Sequence, residues 1–383
     1  MVAITFSIEQ KQKKSLAPLI EVFESVEDPR VHRGKKHDLS KILVISLFAV
    51  AAGACSWRQF VEFGTLHKTW FAKYFDLGTG IPSHDTFRRV FGLLTPKGTQ
   101  LLLKKWFEKR KIKFNQGRQI CIDGKTVRGT SKWKDEDATT HIVTAYLPEE
   151  GISLAQSVVP KKGNEITAMP DLLELINLKG ACLTGDAMFT QKGIVSKIVD
   201  SQGHYCLALK GNQKGLKQSV EGLFAGRLPS TRKHEEIEKN RGRIEKRRIL
   251  TSTKVNQLKG YEEWRNLKAV VCLESFRYSM DEDQIVPEKR YYISDMLLSP
   301  QYFLQYIRRH WSIENNLHRT LDVHFKEDAW QMRQRNAASN LSVLRKIAGT
   351  ILSQIDSHKA ILHKQMWVNG SEEFRDRMIN MEF

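Results

Sequence analysis

Residues 120–126 read Ile-Cys-Ile-Asp-Gly-Lys-Thr, an apolar run that leads straight into a carboxylate, a glycine and a lysine. So short a run reads as a buried strand over 120–123, with Asp123 at its carboxyl end. Two more short apolar or β-branched runs follow at 141–146 and 153–159, and three strands in quick succession predict a meander. Beyond them an amphipathic helix at 166–176 leads to a buried strand at 181–184, and a second helix at 191–199 leads to another strand at 205–209. The order is β-β-β-α-β-α-β, and the helical crossovers make the second half of the sheet parallel.

That order is the order of a ribonuclease H-like α/β core, expected here over 119–355. A stretch at 211–298 interrupts it with a helix at 215–224, a charged segment at 232–248 and strand-like runs at 248–253, 268–273 and 290–293, which together predict a β-rich insertion. Helix returns at 301–321 and at 336–355. Upstream, 16–110 reads as a helical domain. Its apolar helix at 42–54 is introduced by Asp38 and Ser40, and an aromatic segment carries Trp57, Phe60, Val61 and Phe63. The short basic helix at 83–91 suits the second helix of a DNA-binding helix-turn-helix and a plain packing module equally. Residues 1–15 and 356–383 are expected to be tails.

A chain of 383 residues exceeds the ~250–300 at which single cores stop growing, so at least two domains are expected. Lysine and arginine total 61 against 43 acids, and a surplus of +18 is too large to serve solubility alone. A polyanionic partner is the leading expectation. Lys104, Lys105, Lys109, Arg110, Lys111, Lys113 and Arg118 crowd the hinge between the two regions, where they either face DNA or form a solvated face. The longest apolar run, 42–55, is shorter than the ~20 residues a bilayer span needs, so no membrane partner is expected. The N-terminus lacks the apolar stretch of a signal peptide, which predicts a soluble intracellular protein. Five scattered cysteines indicate neither a disulfide framework nor a zinc knuckle.

Three separated acids stand where such a fold can bring them together: Asp123, Asp186 in Thr-Gly-Asp-Ala-Met, and Glu314 in Trp-Ser-Ile-Glu-Asn-Asn-Leu-His. The first and fourth strands of this order lie side by side, and ligand sites form at their carboxyl ends. A later helix across that edge can add Glu314. Three carboxylates can hold two magnesium ions about 3.5–4 Å apart, one for the attacking and one for the leaving oxygen of a phosphodiester. Each residue also has a plainer reading: Asp123-Gly124 favours a hairpin turn, Asp186 can cap a helix beginning at Ala187, and Glu314 can simply face solvent. His310, Glu314, His318 and Asp322 recur every fourth residue and form a slowly rotating polar stripe. Zinc is a poor rival, because His310 and His318 are separated by about 12 Å of helical rise.

These residues belong to a wider likeness. The chain resembles the insertion-sequence DDE transposases, specifically the subgroup that includes the H-repeat-associated proteins of Rhs elements. The likeness rests on His37-Asp38-Leu39, the segment from Gly80 to Phe87, Ile122-Asp123-Gly124-Lys125-Thr126, Asn164-Glu165-Ile166-Thr167-Ala168, Asp186-Ala187-Met188 and the segment from Leu207 to Gln213. It continues through Gly242-Arg243-Ile244-Glu245, Arg290-Tyr291-Tyr292-Ile293-Ser294 and the stretch from His310 to Asp322. Gly185, Phe189 and Arg319 depart from the family's usual pattern. The resemblance implies Asp123, Asp186 and Glu314 as a metal-binding catalytic triad, with Mg2+ as the cofactor and Mn2+ as a substitute. It also implies cleavage of double-stranded DNA at element ends, strand transfer into target DNA, a dimer on DNA, and a cytoplasmic, nucleoid-associated place in a bacterial cell. Lys125, Lys210, Arg308, Arg309, His318 and Arg319 are the candidate DNA contacts.

Overall fold

The computed structural model describes residues 17–31, 35–109, 117–130, 139–160, 163–226, 231–240, 243–278, 288–332, 334, 336–356 and 358–380. The expected N-terminal tail at 1–15 and the basic residues Arg110, Lys111 and Lys113 lie outside them. Nine strands form one mixed sheet: β1 Gln119–Val127, β2 Thr140–Leu147, β3 Ile152–Val158, β4 Cys182–Gly185, β5 His204–Leu209, β6 Arg232–Asn240, β7 Arg243–Ser252, β8 Ala269–Tyr278 and β9 Glu288–Ser294. Their spatial order is β3-β2-β1-β4-β5-β9-β8-β7-β6. The meander β1–β3 is antiparallel, while β1, β4 and β5 run parallel through the crossover helices Glu165–Glu174 and Lys192–Asp200. This is the ribonuclease H-like arrangement that the strand order predicts.

The expected insertion is β-rich, but it is not a separate body. Its strand β9 pairs antiparallel with β5, and the rest continue the same sheet outward. The charged segment at 232–248, read as an interruption, is instead the hairpin β6–β7, in which opposite charges meet across the strands. Glu235 bonds Lys246 (3.1 Å) and Arg248 (2.8 Å), and Glu238 bonds Arg247 (2.8 Å). Much of that segment's positive charge is thereby neutralised internally.

Among the described residues, six helices precede the sheet: α1 Ala17–Glu24, α2 Leu39–Ala51, α3 Trp57–Leu66, α4 Lys68–Ala72, α5 His84–Leu93 and α6 Pro96–Lys109. Eleven of the thirteen residues of α2 are buried, as a helix that is apolar all round requires. In α5 the residues Phe87, Val90 and Phe91 face the core, while Arg88 points outward and pairs with Asp85 at 3.0 Å. The crossover helices are α7 (Glu165–Glu174) and α8 (Lys192–Asp200), and α9 (Lys214–Ala225) opens the insertion. Then come α10 (Pro300–His310), a π turn at Ile313–His318, α11 (Arg319–Val323) and α12 (Ala337–Gln354).

Helix α12 ties the helical region to the sheet, packing against α2, α6 and β3. Its buried Asn340 donates to the carbonyls of Phe91 and Leu94 and accepts from Thr99 Oγ1 at 2.7 Å, which satisfies its amide in an apolar setting. The sequence predicts a tail at 356–383, and the structure corrects this. Residues Ile361–Gly370 and Glu372–Asn380 form α13 and α14, with Val368, Phe374 and Met378 buried. Asp376 of α14 accepts from Trp70 Nε1 at 2.7 Å, and Asn369 Nδ2 donates to the Ala52 carbonyl. Apolar residues there sit at helical spacing, and it is the N-terminal helices that bury them.

Candidate functional site

Asp123 and Asp186 leave neighbouring parallel strands one residue beyond the last paired residues, Ile122 and Gly185. β4 stops there. β1 runs on to Val127 because β2 continues to pair with it, so Asp123 lies mid-strand, and neither the strand end nor the Asp-Gly hairpin read from sequence is found. Side chains alternate along β1, which puts Asp123 on the face of Gln119 and Cys121. That face is crossed by α10: Gln119 Nε2 donates to the Tyr306 carbonyl at 2.8 Å. Asp186 precedes only a three-residue 3-10 turn and makes no capping hydrogen bond, so capping does not account for it. It is exposed, whereas Asp123 is largely buried. Burial, then the Asp186 charge, push the Asp123 carboxyl up to about 7, against the Gly124 N–H that it accepts from; Glu314 and Glu165 push it further.

The stripe on the following helix reaches the same place through a feature absent from the sequence reading. A single α-helix was expected over 301–321, yet its middle is the π turn Ile313–His318. In an α-helix each four-residue step overshoots a full turn by about 40°, so the stripe would drift by about 120° over three steps. The wider i→i+5 turn swings it back. His310 Nδ1 consequently meets Thr184 Oγ1 at 3.1 Å, His318 Nδ1 lies 3.5 Å from Asp123 Oδ2, and Asp322 Oδ1 lies 2.8 Å from Lys125 Nζ. Glu314, between them, is raised by burial and by Asp186, while Arg290 and Lys210 hold it down. Both histidines are neutral near pH 7. Burial lowers His310 to about 4 and His318 to about 3, Lys346 and Lys125 adding to the latter.

The six expected DNA contacts sit in different surroundings. Lys125 is nearly buried among Asp322 (2.8 Å), Asp328 (3.0 Å) and Glu327 (3.6 Å). His318 is turned inward against Asp123 and carries no charge to offer. Arg308 pairs with Glu236 and Glu238 of β6, and Arg309 pairs with Glu149. Lys210 and Arg319 are exposed. Lys210 lines a cleft beside Asp186 together with Lys217, Arg290, His310 and Trp311. Arg290 and Trp311 were missed as a pair: the guanidinium lies 5.0 Å from the centre of the indole ring, a cation-π contact at the mouth of the cleft. Arg290 opens an apolar strand run, so only its facing position, set by β9, reveals it.

The two departures at 185 and 189 explain each other. A Cβ on Gly185 would meet Phe189 Cδ2 at 3.1 Å and Leu207 Cδ2 at 3.4 Å, so the buried phenyl ring occupies the space that an apolar side chain at 185 would fill.

Oxygen-only ligands, grouped without a bound cation of their own, are the donor set that hard divalent ions take. Among the described residues, no three histidine, cysteine, aspartate or glutamate side chains already close around one point, so any ion has to draw the carboxylates inward.

The chain belongs to the DDE transposases: the transposase DDE domain family matches residues 115–351, and the DDE_Tnp_1-associated family matches residues 20–107. Among its relatives, "Putative transposase YncI" of Escherichia coli O157:H7 is 36% identical over 343 residues, 88% of each chain. "H repeat-associated putative transposase YhhI" of Escherichia coli K12 is 34% identical over 358 residues, 92% of this chain and 94% of the relative. A solved piggyBac transposase synaptic complex with hairpin DNA is similar at a TM-score of 0.44 and 10% identity, covering 94% of this chain and 77% of that one. The protein is thus a DNA transposase by family, and among the described residues no helix is long and apolar enough to cross a membrane.

Proposed function

We propose that Asp123, Asp186 and Glu314 hold the divalent ions of a transposase that cuts element ends and joins the freed 3′ hydroxyl to target DNA. What supports this reading is the position of Asp123 and Asp186 one residue past the β1–β4 ladder, with Glu314 on the π turn, where the Asp186 charge raises its pKa and both charges raise that of Asp123. Magnesium, or manganese in its place, would supply Lewis acidity toward the phosphodiester and an activated attacking oxygen. The chain's own residues do the rest. His318, neutral and buried, packs against Asp123 Oδ2 and restrains that carboxylate. His310 does the same for the end of β4 through Thr184. Lys210, Lys217 and Arg290 line the cleft on the Asp186 side, where they neutralise phosphates and orient the strand. Joining two ends takes two such sites, so the working form is a dimer on double-stranded DNA.

The test is cleavage of end-containing DNA in magnesium, with the 3′ label followed into a second DNA. Asp123→Asn and Asp186→Asn are expected to stay folded and bind DNA but to lose cleavage by roughly 10²–10³-fold or more. Cleavage at the parent rate by either variant would remove that residue from the site. A label that is cut but never joined would leave a nuclease without strand transfer.

A further inference from the structure

The segment Asn164-Glu165-Ile166 takes no part in the site as built so far, yet it ends beside it. Asn164 Oδ1 accepts from the Ile166 N–H at 3.1 Å and caps α7, which fixes Glu165 in the first turn. From there the carboxyl reaches back onto β1. A Cβ built on Gly124 would fall 2.3 Å from Glu165 Oε1, so the absent side chain at 124 is the gap that admits the glutamate. Gly124 follows Asp123, whose carboxylate accepts from the Gly124 N–H, so the two acids flank a single peptide. By the pleat, Glu165 approaches from the opposite face. No strand stands between them, because β4 ends opposite Ile122 and leaves that margin of β1 open.

The glutamate is positioned, and one oxygen is left over. His141 Nε2, on the neighbouring strand, donates to Glu165 Oε1 at 2.6 Å, and its Nδ1 shares a hydrogen bond with Thr126 Oγ1 at 2.7 Å. Thr126 and His141 are register partners across β1 and β2. Among the described residues, no lysine or arginine pairs with Glu165, and no donor is bonded to Oε2. Glu165 is 16% exposed, its one charge-pair partner among the described residues is His141, and its second oxygen remains open to a cation one peptide from another acid.

We propose that Glu165 is a fourth carboxylate of the divalent-cation site, held by His141 and Thr126 so that its free oxygen takes the cation beside Asp123 or a water on that cation. This rests on Asp123, Asp186 and Glu314 holding the ions. Thr126 and His141 are positioning residues that act through Glu165.

Manganese is the probe, titrated into the purified full chain and followed by the electron paramagnetic resonance of the free ion, with thermal melting to confirm folding. Glu165→Gln is expected to weaken Mn2+ binding at least about tenfold and to raise the Mn2+ needed for half-maximal cleavage by the same factor, with cleavage recovering at high Mn2+. Gly124→Ala, which displaces the carboxyl without removing it, and His141→Asn should move binding in the same direction. Should Glu165→Gln unfold, these two variants decide the matter. Wild-type Mn2+ affinity in Glu165→Gln, or in both others, alongside loss of binding in Asp123→Asn, overturns this proposal and leaves the three-carboxylate reading standing. Wild-type affinity in Asp123→Asn and Asp186→Asn as well would overturn both.

Discussion

Lys125→Met is expected to destabilise the fold while leaving DNA affinity and its salt dependence unchanged. The lysine is 12% exposed and contacts Asp322, Asp328 and Glu327, of which Glu327 is 1% exposed and shared with Arg345 at 3.5 Å. Burial pulls the ammonium down, but the three acids outweigh it and raise its pKa. Its contribution is therefore complete below the ordinary lysine range and is lost only as the pH climbs through the raised value. Removing one partner of a buried pair costs about 3–5 kcal/mol. Asp322 and Asp328 are partly solvated, at 37% and 26% exposure, and Glu327 keeps Arg345, so the cost falls to the bottom of that range or just below it, about 2–3 kcal/mol. Urea unfolding at neutral pH measures the loss, and DNA binding across a salt series measures the rest. A phosphate contact removed would flatten the salt slope by about one unit. Unaltered stability with a flattened slope would refute the internal role and return Lys125 to the DNA surface.

Glu314→Gln should abolish cleavage in magnesium and manganese, whereas Asp322→Asn, whose carboxylate is engaged by Lys125, should cut but melt at lower temperature; the reverse pattern would reassign the third carboxylate. Gly185→Val should destabilise the chain, and Phe189→Ala in the same chain should recover part of the loss. The pair's coupling is expected at about 1–3 kcal/mol in a double-mutant cycle of melting data. His67, buried with its Nε2 unbonded, is lowered to about 4 by burial and then by Arg375. Its folded value lies below the unfolded 6.5, so it contributes to stability above that pH and loses the contribution as pH falls toward 4. His67→Phe should accordingly remove up to about 3 kcal/mol of the stability difference between pH 7 and pH 4.

The core was legible because its signals are local. Short apolar or β-branched runs at 120–123, 141–146 and 153–159 follow one another as a meander, and the amphipathic helices on either side of 181–184 mark the crossovers that make the later strands parallel. The continuation of the sheet through β9 to β6 was not legible. Arg232–Asn240 carries charge on both faces, so it has no apolar alternation to mark it as a strand, and its stability comes from ion pairs with β7 that appear only once the register is known. The C-terminal helices were missed for a similar reason. Their apolar residues are few, and their docking depends on Trp70 and Ala52, some three hundred residues away.

At the site, residue type was readable and orientation was not. Asp123 and Asp186 follow from strand order, since any chain with this topology brings those two strand positions together. Lys125 and His318 look like ordinary surface cations in sequence and are internal in the structure, because the direction of a side chain depends on what crosses the sheet above it. The π turn sits between these cases. Ile313, Leu317 and Leu321 are all buried at a strict spacing of four, which an α-helix would carry around its axis by about 80° and a wider turn keeps on one face. The polar residues at 310, 314, 318 and 322 repeat the same spacing one side over. Two parallel stripes with period four, one apolar and one polar, are a pattern that a regular α-helix satisfies poorly, and they place the departure from α-geometry where Glu314 has to reach the strands.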